Sequence, residues 1–318
     1  ISKLLSIRNI KIEDVNLFLN PRIKNLLPNP FILKDMEKSV NRTIKAIISR
    51  EKIGIFGDYD VDGATSTALL GNYFNKLDQP SSIYIPDRKK EGYGPNLQGF
   101  NKLISEGSRV IFTVDCGTMS FDTINSLENK IDVIVLDHHQ SEIKLPKAFS
   151  VVNPNRFDDN SKLNYLCAAG VCYMFLIALN KKLRDLKWFE KNNTKEPNLI
   201  DFLDLVSLGT VCDVVPLVGL NRAFVSQGLK IINKISNPGL KILKNICGIE
   251  TNLNTYHLGY VLGPRINAGG RVGKCSHGAN LLLSKDPKEV FTIASELENF
   301  NNERKFLEKD IFNKIEKK

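Results

Sequence analysis

The chain has 318 residues, 42% of them apolar and 25% charged, the balance of a compact protein larger than one average domain. Its 44 Lys+Arg against 35 Asp+Glu leave a net charge of +9, which favours a polyanionic partner. No apolar stretch approaches the roughly 18 to 20 residues needed to span a bilayer and no signal peptide opens the chain, so membrane and secreted classes are excluded and a cytoplasmic protein is expected.

The first 50 residues read as a helical lead-in. Phe31, Ile32, Leu33, Met36, Val40, Ile44, Ile47 and Ile48 recur at helical spacing across residues 30–50. Short β-branched runs at 52–57, 83–85, 109–114, 132–136 and 150–152 follow, separated by helical segments at about 64–77, 95–106 and 119–129. That alternation predicts βαβ units, hence an α/β fold with a parallel sheet and helices on both faces. After Asn153-Pro-Asn-Arg156 helical patterns dominate: 166–183, 199–209, 221–235 and a long amphipathic segment from Asp286-Pro287, with apolar residues at 290, 293, 294, 297, 300, 307, 311, 312 and 315. The polar stretch 185–198 reads as an exposed insertion. The chain starts at Ile1 and stops within the last helical pattern, which reads as a fragment.

Three of the strand-like runs end in acid or imidazole. They are Gly54-Ile-Phe-Gly-Asp58-Tyr-Asp60-Val-Asp62-Gly63, Val110-Ile-Phe-Thr-Val-Asp115-Cys-Gly117, and Val133-Ile-Val-Leu-Asp137-His138-His139. The carboxyl edge of a parallel sheet is where α/β proteins place their chemistry. Three carboxylates at period two repel one another and raise one another's pKa unless a cation neutralises them. An acidic turn in solvent is the competing account of Asp58, Asp60 and Asp62, and a turn or helix cap that of Asp115. Gly63-Ala-Thr-Ser-Thr67 then opens a helix whose small residues leave N–H groups free for a phosphate oxygen. Two imidazoles after an acid, at the end of an apolar strand, lack an easy core role; one can bind metal while Asp137 orients its ring, and the other is left for substrate.

Asp213 lies among apolar residues in Leu203-Asp-Leu-Val-Ser-Leu-Gly-Thr-Val-Cys-Asp213-Val-Val-Pro216, where a buried carboxylate needs a partner; a capping role before Pro216 weighs equally on this segment alone. Asp58, Asp60, Asp62, Asp115, His138 and Asp213 supply oxygen and nitrogen ligands for two ions of Mn²⁺ or Mg²⁺, with Asp115 as the expected bridge. Basic residues sit beside glycines in Arg88-Lys-Lys-Glu-Gly-Tyr93-Gly and Gly263-Pro-Arg265-Ile-Asn267-Ala-Gly-Gly-Arg271. Arginine forks match phosphate oxygens, and Tyr93 offers a face to a base. His257 and His277 stand alone and read as structural. The six cysteines show no Cys-x-x-Cys spacing and read as reduced thiols. Neither a P-loop nor a dinucleotide-binding glycine pattern is present.

Taken in order, Gly57-Asp-Tyr-Asp-Val-Asp-Gly-Ala-Thr-Ser-Thr-Ala68, Thr113-Val-Asp-Cys-Gly117, Asp137-His-His139, 208–217 and 263–271 resemble the DHH phosphoesterase superfamily. The wording is similar to its bacterial single-strand-specific exonucleases, over residues 50 to 285. The resemblance implies a five-stranded parallel sheet and manganese or magnesium at the acid and histidine cluster. It implies hydrolysis of single-stranded DNA from the 5′ end in repair and recombination. Catalytic roles fall to Asp115, Asp137 and His139, the last at the scissile phosphate, and phosphate contacts to Arg88, Arg265, Asn267 and Arg271. It divides the chain into a lead-in (1–50), a catalytic domain (51–218), a helical extension (219–285) and the start of a connecting helix (286–318) leading to a second domain. A helicase or single-strand-binding protein would be the partner of a monomer. The segment 263–271 departs from the family wording by a glycine at 269 in place of alanine, which loosens a loop. Two alternatives stand beside this: a small-substrate phosphodiesterase acting on short oligonucleotides or cyclic dinucleotides, and an inactive DNA-binding scaffold.

Overall fold

A computed structural model describes residues 1–234, 237–272 and 274–316. Five strands, β1 (Lys52–Gly57), β2 (Ser81–Tyr84), β3 (Ser108–Val114), β4 (Asp132–Leu136) and β5 (Ser150–Val152), form one sheet in the order β2-β1-β3-β4-β5. Every pairing is parallel, as the βαβ alternation predicts. The strand order reverses between β1 and β3, the topological switch point at which open α/β sheets place ligands.

Both sheet faces are covered because each strand alternates apolar side chains up and down. Ile53, Ile55, Val110, Phe112, Val114, Ile134 and Leu136 join the large core under the helices Met36–Ile48, Val61–Lys76 and Ala168–Asp185. Phe56, Ile111, Val133, Val135 and Val151 face the other way, onto Phe100 and Leu103 of the Leu97–Ser105 helix and Ile124. The large core continues through the helical half, taking in Leu203, Phe224, Leu258, Ile266 and Leu297. The sheet and the helices after residue 153 therefore share one interior.

Several boundaries differ from the sequence reading. The lead-in helix begins at Met36, because Pro30 first forms a single 3₁₀ turn capped by the Asn29 side chain. The segment expected at 119–129 holds only a short helix, Phe121–Asn125. The polar stretch 185–198 is mostly exposed, as expected, but is anchored: Phe189 is buried, and Asn180 donates to Glu196 and to the Pro197 carbonyl. The pattern predicted through residue 235 gives a helix Gly219–Ile232, and residue 235 lies outside the described residues. The final helix, Pro287–Glu316, buries Val290, Ile293, Ala294 and Leu297 and leaves Leu307, Ile311, Phe312 and Ile315 exposed. Among the described residues no helix is long and apolar enough to cross a membrane, and all six cysteines are free.

Phe112 sits at the middle of the interior, fully buried between the rings of Phe74 and Phe175 at 5.9 and 5.4 Å. Phe112→Ala is expected to lower the unfolding free energy by about 3 to 5 kcal/mol in a urea titration. A loss under about 1 kcal/mol would show that the ring contributes little to the core.

Candidate metal centre

The register of the sheet sets the site. Gly57 pairs with Val114, Val114 with Leu136 and Leu136 with Val152, so residues 58, 115, 137 and 153 form the next row across four strands. The ladder reaches into that row: the N–H of Asp58 donates to Val114, that of Asp115 to Leu136 and that of Asp137 to Val152, at 3.3, 3.1 and 3.1 Å. Three carboxylates and one amide are thereby fixed side by side at the carboxyl edge. Asp115 holds a left-handed backbone at φ 61°, a costly conformation for a residue other than glycine, which ends its strand abruptly.

Asp58, Asp60 and Asp115 present oxygens within 4.8 Å of one another; the ligand atoms of Asp62, His138 and Asp213, and of Asp115, His138 and His139, lie equally close. His138 sits among them, with Nε2 at 3.2 Å from Asp115 Oδ1 and 3.8 Å from Asp62 Oδ2, and Nδ1 at 3.7 Å from Asp213 Oδ2. Asp213 caps the Leu203–Cys212 helix and is followed by Val214 at φ 60°, a strained conformation for a β-branched residue. Sequence reasoning left capping and ligation as equal alternatives for Asp213; the geometry shows the cap and leaves its Oδ2 3.7 Å from His138 Nδ1.

The protonation of these groups follows from their surroundings. Burial, reinforced by the charge of Asp60, pushes Asp58 up to about 7. Burial followed by the charges of Asp62 and Asp60 pushes Asp213 up to about 8. Asp115 is held well above the usual carboxylate range by burial, then by Asp60, Asp62 and Asp58. Asp58 Oδ1, Asp115 Oδ1, His138 Nε2 and Asp213 Oδ2 are buried without hydrogen-bond partners. Four orphaned ligand atoms on three acids and an imidazole, converging at one sheet edge, fit a divalent cation and suit the oxygen and nitrogen preference of Mn²⁺ and Mg²⁺.

Asp62 differs from its neighbours. Both of its oxygens accept backbone N–H groups at the start of the Ala168–Asp185 helix, from Ala168 at 2.6 Å and Ala169 at 2.9 Å. It fastens the site to that helix while remaining within reach of His138. Asp60 caps the Val61–Lys76 helix by accepting from the Gly63 N–H at 2.9 Å. The Gly63 N–H expected to be free for a phosphate is therefore engaged. Gly63 itself serves close packing instead: a Cβ there would lie 2.5 Å from the Asp58 carbonyl oxygen.

Asp137 behaves oppositely to Asp115. Burial alone would raise it, but Oδ1 accepts from His139 Nδ1 at 2.8 Å and from the His138 N–H at 2.7 Å, and Oδ2 from the Thr118 N–H at 3.0 Å. Those bonds hold it well below the usual range. The hydrogen bond to Asp137 in turn raises His139 to about 9, so the ring is an imidazolium at neutral pH. Asp137 thus orients the second histidine of the pair, whereas the sequence reading had it orient the metal-binding one. His139 Nε2 lies 3.3 Å from the Tyr93 hydroxyl, which also donates to the Asp115 carbonyl at 3.3 Å.

The remaining expected residues divide. The Arg88 guanidinium lies 5.2 Å from the Tyr59 ring centre, and Tyr59 meets Tyr93 edge-on at the rim of the acid cluster. Asn267 and Arg271 line a cavity together with Val61 and Cys212, the neighbours of Asp60 and Asp213. Arg265 turns elsewhere: its guanidinium is paired with Glu298 of the final helix and donates to the Val261 carbonyl at 2.8 Å. The segment 263–271 is a helix rather than a loop, and Gly269 is a packing position where a Cβ would lie 2.8 Å from the Lys274 carbonyl oxygen. His277 is paired with Glu296, and His257 and Asn254 cap each other, the structural roles expected. Sequence reasoning missed Asn153 and Asn155. Asn153 donates to the His139 carbonyl at 2.8 Å and to Thr118 at 2.9 Å, while Asn155 donates to the His138 carbonyl. The available signal was position, since Asn153 follows β5 as Asp58 follows β1.

A sequence profile described as the DHH family, N-terminal domain, matches residues 52–210. The chain is 37% identical over 294 residues to the single-stranded-DNA-specific exonuclease RecJ of Escherichia coli (strain K12), covering 91% of this chain and 51% of that protein. It is 34% identical over 294 residues to the RecJ of Bacillus subtilis (strain 168), covering 92% of this chain and 35% of that protein. The chain thus spans about half or less of these relatives. A crystal structure of exonuclease RecJ bound to manganese superposes with a TM-score of 0.77 at 32% identity, covering 91% of this chain and 70% of that one.

The crowded acids make a stability prediction whose sign is fixed. A carboxyl whose pKa is raised by folding keeps, between about pH 4 and 8, a proton the unfolded chain has released, so stability falls as pH rises through that window. In chelator the melting temperature is expected to drop by at least about 3 °C between pH 5 and pH 8.5, and excess Mn²⁺ to abolish that drop. A flat profile in chelator would show that the acids do not crowd one another.

Proposed function

The chain belongs to the DHH family, and from that premise we propose that it carries the catalytic centre of a metal-dependent exonuclease. Its substrate is single-stranded DNA, hydrolysed from the 5′ end, and its setting is DNA repair and recombination. The observation that carries this reading is the convergence of Asp58, Asp115, His138 and Asp213, with orphaned ligand atoms, at the β1/β3 edge. The likeness to single-stranded-DNA-specific exonucleases supports the substrate class, and the manganese in one such structure supports the metal.

Asp58, Asp60 and Asp115 would hold one Mn²⁺ or Mg²⁺, and His138 and Asp213, with Asp62 behind them, a second; Asp115 adjoins the second group through His138, 3.2 Å away. When bound, the ions supply the positive charge that neutralises the acids and polarises a phosphoryl group. His139 has its Nδ1 proton committed to Asp137, so its Nε2 proton is the one at the Tyr93 hydroxyl, 3.3 Å away, from which an incoming phosphate oxygen would take it. Asp137 keeps that ring charged and oriented. Asn153 and Asn155 hold the backbone carbonyls of both histidines and so fix the turn that carries the two rings. Arg88, Asn267 and Arg271 supply donors for the backbone of the strand, and Arg265 contributes by bracing the helix that carries two of them.

A manganese-supplemented assay comparing 5′-phosphorylated single-stranded and duplex DNA tests this. Mononucleotides are expected from the 5′ end of the single strand; ready cleavage of dinucleotides alone would overturn the exonuclease reading. Asp115→Ala is expected to reduce kcat by roughly 10³-fold or more with an unchanged circular dichroism spectrum, because it removes an acid of the first metal group that also adjoins His138 of the second. His139→Gln is expected to cost about 10² to 10⁴ in kcat with metal binding retained. Calorimetry that shows lost Mn²⁺ binding for His139→Gln would move His139 among the ligands.

A further inference from the structure

Residues 255–271 form one continuous helical run, with a π-helical turn at His257–Leu262 that carries on through Gly263–Arg271. Its far end touches the metal centre, since a Cβ on Gly270 would lie 3.1 Å from the Tyr59 ring. Its near end carries Tyr256 and Tyr260, which are 62% and 75% exposed, with ring centres 5.4 Å apart and planes 25° from parallel. Neither ring contributes to the core. A stacked pair of aromatic faces left in solvent is a platform on which planar groups of any identity can stack.

Between these ends lies the cavity of about 180 Å³ lined by Asn267, Arg271 and Arg304. Gly259, Gly263, Asn267 and Arg271 are four apart and share the face turned toward it, while Tyr256 and Tyr260 form the neighbouring row. Arg304 reaches the cavity from the final helix. Its Nη1 pairs with Glu308 at 2.5 Å and its Nη2 donates to Asn301 at 3.3 Å, but its Nε is buried with no hydrogen-bond partner, as is Nδ2 of Asn301. Two guanidiniums lining one hollow, one of them with an unpaired Nε, are complementary to a phosphodiester.

We infer that Tyr256, Tyr260 and Arg304 form a second single-stranded-DNA subsite, in which bases stack on the tyrosines and the linking phosphate occupies the cavity against Arg304 and Arg271. This rests on the nuclease reading above and extends it along the strand. Phosphates and bases alternate along a single strand, and one cavity and one aromatic platform lie side by side on this helical run. Because every base offers a π-face, the subsite grips DNA irrespective of sequence.

The test uses the manganese-loaded protein and two hydrolysis-resistant phosphorothioate strands of equal length, an oligothymidylate and its abasic counterpart, with affinity read by anisotropy. Wild-type protein is expected to prefer the base-bearing strand. The double variant Tyr256→Ala/Tyr260→Ala is expected to bind it about tenfold or more weakly and to lose the preference, while Tyr256→Phe/Tyr260→Phe keeps it. Arg304→Gln is expected to weaken both strands alike and to flatten the salt dependence by about 0.7 in log–log slope. Retained preference in the double alanine variant, or unaltered salt dependence in Arg304→Gln, overturns the subsite. If wild-type protein shows the preference yet releases no mononucleotides from an ordinary strand, the subsite stands and the nuclease reading falls.

Discussion

The sheet register is the constraint on which everything else in this molecule depends. A parallel ladder continued by one residue past β1, β3 and β4 places Asp58, Asp115 and Asp137 in one row, each held through its backbone by the neighbouring strand. Side-chain repulsion cannot part them, because parting them would break the ladder. A shift of one residue in any pairing would turn a carboxylate to the opposite face and replace it with an apolar strand residue. The fold therefore imposes the electrostatic conflict that makes a cation site, and the energy for holding it comes from the two apolar layers packed on the sheet.

Within that row, identical side chains acquire opposite chemistry. Asp115 and Asp137 are both buried at the ends of adjacent strands. Asp137 is surrounded by N–H groups from Thr118, His138 and His139, and stays ionised. Asp115 has an oxygen with no donor and is flanked by other acids, so without a cation its charged form is disfavoured. Hydrogen-bond supply, not burial, separates the two. One acid is satisfied by the protein's own donors; the other keeps an unpaired oxygen at the sheet edge.

The strand-end acids were legible in the sequence because an apolar run that stops at Asp, or at Asp-His-His, leaves those side chains little to do in a core. The same reasoning could not assign Asp137 to His139 rather than His138, since adjacent imidazoles are indistinguishable until the turn after β4 is built. Asn153 and Asn155 were hidden in a segment whose Asn and Pro content reads as an ordinary turn. Nor could composition show that 263–271 is a helix: three glycines and a proline argue against one. Tertiary contact reverses that propensity. A Cβ on Gly263 would lie 2.6 Å from Cys212 Sγ, and on Gly270 3.1 Å from Tyr59, so this helix exists because its missing side chains let it lie against the metal centre.

That close approach explains why the metal centre draws on residues so far apart in the chain. Asp213 enters from the end of the Leu203–Cys212 helix, and the helical run 255–271 packs directly on that end, through Gly259 against Val211 and Gly263 against Cys212. Arg265 then ties the run to Glu298 of the final helix, and His277 repeats the tie through Glu296. The sheet fixes Asp58, Asp115 and His138 on one side; a stack of helices, braced by two ion pairs, fixes Asp213 and Arg271 on the other. The final helix meets this side through Arg265–Glu298, through His277–Glu296 and through Arg304, which lines the cavity with Asn267 and Arg271. The long helix is accordingly coupled to the side of the cluster that carries Asp213 and Arg271, while the ladder sets Asp58 and Asp115.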